Sequence, residues 1–284
     1  DTAGTYTLTY TATDAAGNTA SATRTVTVAE PAARAHAIKF TSEDASIKIP
    51  NKGFGVGENP WTFEFWIKIH DEFSVGEWDG RILVQNESWA SKALRVRYAQ
   101  GGVNKGKVVF NYYNEGGASF GIWTSRIDDS EWHHIAGSAQ NSITQLYLDG
   151  ALVVEKESPF NLQALSSLSL GKPSGYSSYH ALPGYLGPIR FSNVARYDSD
   201  FQPETNWDLD EHTVAQYLTT KSIDNGVLVD EAGGDNNGTI RQGIEPAEGP
   251  TGKGGTTEPA VVSISPGSGS FGSGAGSGEV AVSA

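Results

Sequence analysis

An all-β sandwich is the fold class that this chain predicts, and three observations carry the prediction. Apolar and polar residues alternate with period two in one short segment after another. Gly, Asn and Asp punctuate those segments at close intervals. Helical periodicity is nearly absent. Many short strands at such spacing imply a two-layer antiparallel sandwich.

The elements follow in order. Residues 1–29 read as a hairpin: Tyr6, Leu8 and Tyr10 alternate with threonines, Val26 and Val28 do so on the return, and Asp14–Asn18 supply the turn. Two strands alone are marginal in water, so this hairpin needs a partner. A short linker (30–36) leads into the central region, 37–245. There "WTFEFWIKI" (61–69) sets Trp61, Phe63, Phe65, Ile67 and Ile69 on one face and Thr62, Glu64, Trp66 and Lys68 on the other. "RILVQN", "LRVRYA", "KVVFNYY", "HHIAGSA" and "TQLYLDGALVVEK" follow as strands, the last folding back at Asp149-Gly150, a strong hairpin signal. Residues 246–258, rich in Pro, Gly and Thr, read as a flexible linker. Residues 259–284 read as two short strands around a Gly/Ser loop.

Composition narrows the function. With 38% hydrophobic residues and 19% charged, the chain can bury a sizeable core. A formal net charge of −13 argues against nucleic acid and against anionic membrane surfaces, both of which call for clustered Lys and Arg. No apolar run approaches the roughly 20 residues of a membrane span. Absent cysteines exclude disulfides and thiolate zinc sites. With no methionine in the chain, Asp1 reads as a processed end or a cut.

The ordered series "AIKFTSEDASIKIP", "WTFEFWIKI", "EWHHIAGS", "LYLDGALV", "LGKPSG" and "GYLGPIRFSNVARY" resembles the laminin-G-like, concanavalin A-like superfamily over about 37–243. That resemblance implies a jelly-roll sandwich, an extracellular or surface setting of bacterial type, and a core position for Trp132 and one of the two histidines after it. The opening hairpin resembles the last two strands of bacterial immunoglobulin-like repeats, and 259–284 resembles the first strands of another. The fold class is thus an antiparallel jelly-roll sandwich flanked by partial immunoglobulin-like modules.

Candidate chemistry lies in the loops. Sugar recognition needs exposed aromatic rings beside amides and acids; Trp78, Trp89, Tyr176 and Tyr179 are loop aromatics of this kind. Burial in the sandwich core is the competing reading for each. Ca²⁺ collects six to eight oxygens from loops, and "DEAGGDNNG" offers Asp230, Glu231, Asp235 and Asn236. "SEDAS" (Glu43, Asp44) and "RIDDSE" (Asp128, Asp129, Glu131) offer less, and an ordinary polar turn is the plain alternative for all three. The related glucanases use alternating acids on one strand. Here Glu77 and Asp79 sit in a Gly-flanked loop, and Glu155 and Glu157 read as a solvated face, so no catalytic pair is expected. His133 and His134, adjacent on a strand, point to opposite faces and cannot share an ion.

Two functions remain. One is a non-enzymatic, secreted or cell-surface adhesion module that binds a glycan or a protein. The other is a structural segment of an extracellular filament, in which terminal strands of one copy complete the hairpin of the next.

Overall fold

Alternation becomes strand along most of the chain. The computed structural model describes residues 4–13, 15–28, 35–50, 60–70, 80–86, 95–113, 119–157, 167–174 and 180–251. In chain order the strands are β1 (Gly4–Thr13), β2 (Thr19–Val28), β3 (His36–Phe40), β4 (Ser46–Pro50), β5 (Trp61–Ile69), β6 (Gly80–Asn86) and β7 (Arg95–Ala99). Next come β8 (Lys107–Tyr113), β9 (Ser119–Arg126), β10 (Trp132–Gln140), β11 (Ile143–Leu148), β12 (Ala151–Glu157) and β13 (Ser167–Gly171). The last are β14 (His180–Ala181), β15 (Gly184–Ser192), β16 (Thr213–Tyr217), β17 (Val227–Leu228), β18 (Gly238–Gln242) and β19 (Ile244–Glu248).

The chain divides into two compact units, of which Arg34–Gly254 is the larger. The described part of the smaller is the β1–β2 hairpin, whose register places Tyr6, Leu8 and Tyr10 opposite Val26, Arg24 and Ala22. That row of large side chains is exposed.

The larger unit is a sandwich of two sheets. One runs β12-β11-β10-β5-β15-β3-β19 with β16 on β15; the other runs β17-β18-β4-β13-β6-β7-β8-β9 with β14 on β6. All pairings are antiparallel except β14 with β6. The inward residues of β5 form the centre of the core, as the alternation predicts. Phe63 stacks on Phe191 at 4.2 Å and approaches Phe110 of the facing sheet at 6.0 Å. Each such buried ring contributes about 1.5–3 kcal/mol. The hairpin after β11 has Asp149 and Gly150 both at positive φ, 52° and 82°, the geometry of a two-residue turn with matching twist.

Two features depart from expectation. The first is the linker boundary: β19 runs to Glu248 and pairs with β3 over five positions, so the sandwich extends three residues into the segment read as linker. Pro246 is tolerated because β19 is an edge strand, where one missing N–H breaks no ladder. The second is β5 itself. Thr62, Glu64 and Trp66, on the face away from the core, are buried as completely as the core residues.

Candidate functional site

The cover over β5 is an irregular strap, residues 193–212. It is pinned by Thr62 Oγ1 donating to Val194 O at 2.8 Å, Trp66 Nε1 donating to Glu204 O at 2.9 Å, and Phe201 N donating to Gly150 O at 2.9 Å. Gly150 is needed there, because a Cβ would lie 1.9 Å from Phe201 O. Tyr197 and Phe201 stack at 3.6 Å, and the Trp207 ring lies 4.7 Å from the Arg190 guanidinium carbon.

Beneath the strap sits a closed charge network. Glu64 accepts from Arg190 Nε at 2.8 Å and Nη2 at 2.7 Å and from Tyr197 Oη at 2.7 Å, and it meets His134 Nε2 at 3.2 Å. Burial pushes the Glu64 carboxyl up, but the His134 hydrogen bond and the Arg190 charge outweigh it and hold the group below the ordinary carboxylate range. Glu64 and His134 have no solvent-exposed side-chain surface, so the acid and the imidazole are sealed, while Arg190 and Tyr197 on the outer side line a second groove of about 350 Å³.

Past Trp66 the same face of β5 opens. Lys68 and His70 line a groove of about 480 Å³ together with Trp132, Tyr185, Ala247, Glu248, Gly249 and Thr251. Cross-strand register builds its floor. Lys68 stands directly opposite Trp132 on β10 and Tyr185 on β15. Tyr185 in turn stands opposite Lys39 on β3, and Lys39 opposite Glu245 on β19. Directly opposed residues share a face, so Trp132, Lys68, Tyr185, Lys39 and Glu245 form one row across five strands. Trp132 and Tyr185 are 6.2 Å apart between centroids, Tyr185 and His70 also 6.2 Å, and Lys39 Nζ lies 5.9 Å from the Tyr185 ring. All four groove side chains from Lys68 to Tyr185 are half-buried. Gly187 packs closely against the groove residue Trp132: a Cβ there would lie 2.9 Å from both Trp66 Cβ and Pro250 Cδ and 3.3 Å from Trp132 Cζ3.

Asp230, Glu231, Asp235 and Asn236, the loop residues expected to carry Ca²⁺, are not among the residues that line this groove. Trp78, Trp89, Tyr176 and Tyr179 lie outside the described residues, as do Glu77 and Asp79. Asp230 is buried and accepts from four main-chain N–H groups, those of Gln216, Ala232, Gly234 and Asn236, at 3.1–3.3 Å. Glu231 accepts from the backbone of Thr219, Thr220 and Lys221. Asp235 takes a left-handed turn at φ 59°, and Asn236 is buried with its carbonyl receiving the Tyr217 hydroxyl at 2.9 Å. The Asp230 and Glu231 carboxylates are therefore turned to the main chain. Asp44 pairs with Lys172, Glu43 with His180, Asp128 with Arg126, and Asp129 with His133. Among the described residues no group of three or more His, Asp or Glu side chains is arranged to hold a metal.

The two adjacent histidines do face opposite ways. His134 joins the buried network, while His133 bridges Asp149 and Asp129, each at 2.9 Å. Trp132, expected in the core, instead lines the groove. Sequence reasoning missed Lys68, His70 and Tyr185 as site residues. The available signal was that Lys68 and His70 continue the outward register of β5 beyond Trp66.

Residues 41–201 match the laminin G model of the concanavalin A-like lectin/glucanases superfamily, over more than half of the chain. The chain belongs to that superfamily. Residues 1–28 match the model described as bacterial surface protein, Ig-like domain. No curated protein sequence matches. Among solved structures, a provisionally named carbohydrate-binding protein of Bacteroides ovatus aligns at 17% identity and a TM-score of 0.58, covering 88% of this chain and 71% of that one. The heptameric SAP-like pentraxin of Limulus polyphemus aligns at 10% identity and 0.48, over 76% of this chain and 96% of its own. Domains LG4-5 of the mouse laminin alpha1 chain align at 14% and 0.45, over 57% and 42%. At 17% identity the likeness to the Bacteroides ovatus structure is one of fold.

Proposed function

We propose that the jelly-roll unit is a non-catalytic carbohydrate-binding module of a surface-displayed or secreted protein, and that the outer-face groove is its sugar site. The observation that carries this reading is the half-buried Trp132–Lys68–Tyr185 row on the floor of an open groove. Aromatic rings offer flat apolar faces to the C–H face of a pyranose, and neighbouring charged or amide groups fix its hydroxyls. The superfamily match and the name of the Bacteroides ovatus structure support the same ligand class. The match of residues 1–28 supports the surface setting. No chemistry is assigned, since the acid at the centre of the sheet, Glu64, is sealed under the strap.

Oligosaccharide binding by calorimetry tests the proposal, with the wild type beside Trp132→Ala and Tyr185→Ala. Truncating an anchor ring at the centre of a site costs about tenfold or more in affinity. Binding that survives both substitutions would place the sugar elsewhere.

A second reading is favoured by the exposed Tyr6, Leu8 and Tyr10 row on a two-stranded sheet. We infer that the β1–β2 hairpin accepts further strands, supplied by another copy in a filament. Concentration-dependent mass in solution tests this, and a monomer at high concentration would refute it.

A further inference from the structure

Lys68 has an unusual set of neighbours. On its face of the sheet it is flanked along β5 by Trp66 and His70 and across the strands by Trp132 and Tyr185. All four are rings, and none carries a negative charge. Among the described residues no hydrogen bond or ion pair engages the Lys68 ammonium, although its side chain is half-buried in the groove. Lys39, the next cation in the row, differs in having Glu245 directly opposite. Ammonium groups that sit among apolar surface and lack a counter-ion lose hydration and gain none of the usual compensation. Such a group favours an anionic ligand, and the rings beside it favour one with a flat apolar face.

Resting on the reading of the groove as a sugar site, we propose that it selects acidic glycans: a pyranose ring stacks on Trp132 or Tyr185 while its carboxylate or sulfate accepts a hydrogen bond from Lys68. The chain as a whole carries a net charge of −13, so general electrostatic attraction would not bring a polyanion here. Recognition is therefore local, and one cation sets it.

A panel of neutral, uronic-acid, sialylated and sulfated oligosaccharides tests the inference, each acidic member beside its carboxyl-reduced or desulfated counterpart. Acidic members should bind at least about tenfold more tightly than their counterparts, the effect of one charge-assisted hydrogen bond. Lys68→Gln should erase that difference, whereas Lys68→Arg should keep it. Whether carboxylated or sulfated members respond identifies which anion is read. Equal binding of acidic and neutral partners, weakened alike by Trp132→Ala, would overturn the acid preference and leave the sugar site standing. Binding to no member of the panel would overturn both. A preference that persists in Lys68→Gln would move the anion to another residue and likewise overturn the inference.

Discussion

Replacing Glu64 by Gln keeps the shape of the side chain and removes its charge. Arg190, whose side chain is 8% exposed, then keeps a buried cation with no counter-charge within hydrogen-bond reach among the described residues. The Tyr197 hydroxyl and His134 Nε2 lose the carboxylate oxygen they share. Breaking one side of a buried pair costs about 3–5 kcal/mol. For a unit of this size each kcal/mol moves the melting temperature by roughly 2–4 °C, so a fall of roughly 6–20 °C is expected. A thermal melt measures that fall, and urea unfolding followed by tryptophan fluorescence measures the free-energy loss, with the midpoint moving and the slope unchanged. The double variant Glu64→Met with Arg190→Met should lose far less than the two single changes together, since neither charge is then left alone. The sign with pH is fixed too. Because the folded carboxyl is held below its ordinary value, the stability it supplies is present above pH ~4.3 and is lost as pH falls through the folded value. Glu64→Gln should flatten that acid limb. A loss under about 1 kcal/mol would refute the network as the anchor of the strap.

Three further outcomes are expected. Asp149 and Asp129 raise the His133 imidazole above its ordinary value, so its contribution is present below pH ~6.5 and fades as pH rises through the folded value; thermal melts of His133→Asn between pH 6 and 8 should lose that slope. Asp230→Ala should cost about 3 kcal/mol or more, as four main-chain donors lose their acceptor, and chemical denaturation should give the same loss in Ca²⁺ and in chelator. Gly187→Ala should cost about 1–3 kcal/mol in urea unfolding and weaken sugar binding, because its Cβ presses Trp66 and Pro250 apart beneath Trp132.

Much of the fold was legible because strand alternation and turn residues are local signals. The inward face of β5 and the Asp149-Gly150 turn both needed only a few adjacent residues to be read. The strap was not legible in the same way. Its residues carry no period, and what they cover is decided by hydrogen bonds spanning more than 130 positions, such as Trp66 to Glu204. Tyr197, Phe201 and Trp207, set in an irregular polar segment, were the one hint that it had something to bury. The groove was harder still. Residues 68, 132, 185 and 248 meet only through the register of five strands, and register is a property of the assembled sheet. Loop aromatics draw attention in a sequence because they stand alone, whereas Trp132 and Tyr185 lie inside strands and resemble core.

β3 and β19, where the chain enters and leaves the sandwich, lie side by side and antiparallel, with His36 opposite Glu248 and Gly249 N donating to Ala35 O at 2.8 Å. Tension applied between Ala35 and Thr251 would therefore act at one end of this pair and open its hydrogen bonds one at a time, like a zipper, rather than shear them all together. β19 is the edge strand and would peel first, while the core behind β3 stayed intact. The residues it carries away, Ala247 to Gly249, form one wall of the groove. If the groove is the sugar site proposed above, grip on the sugar would weaken with load well before the sandwich core came apart.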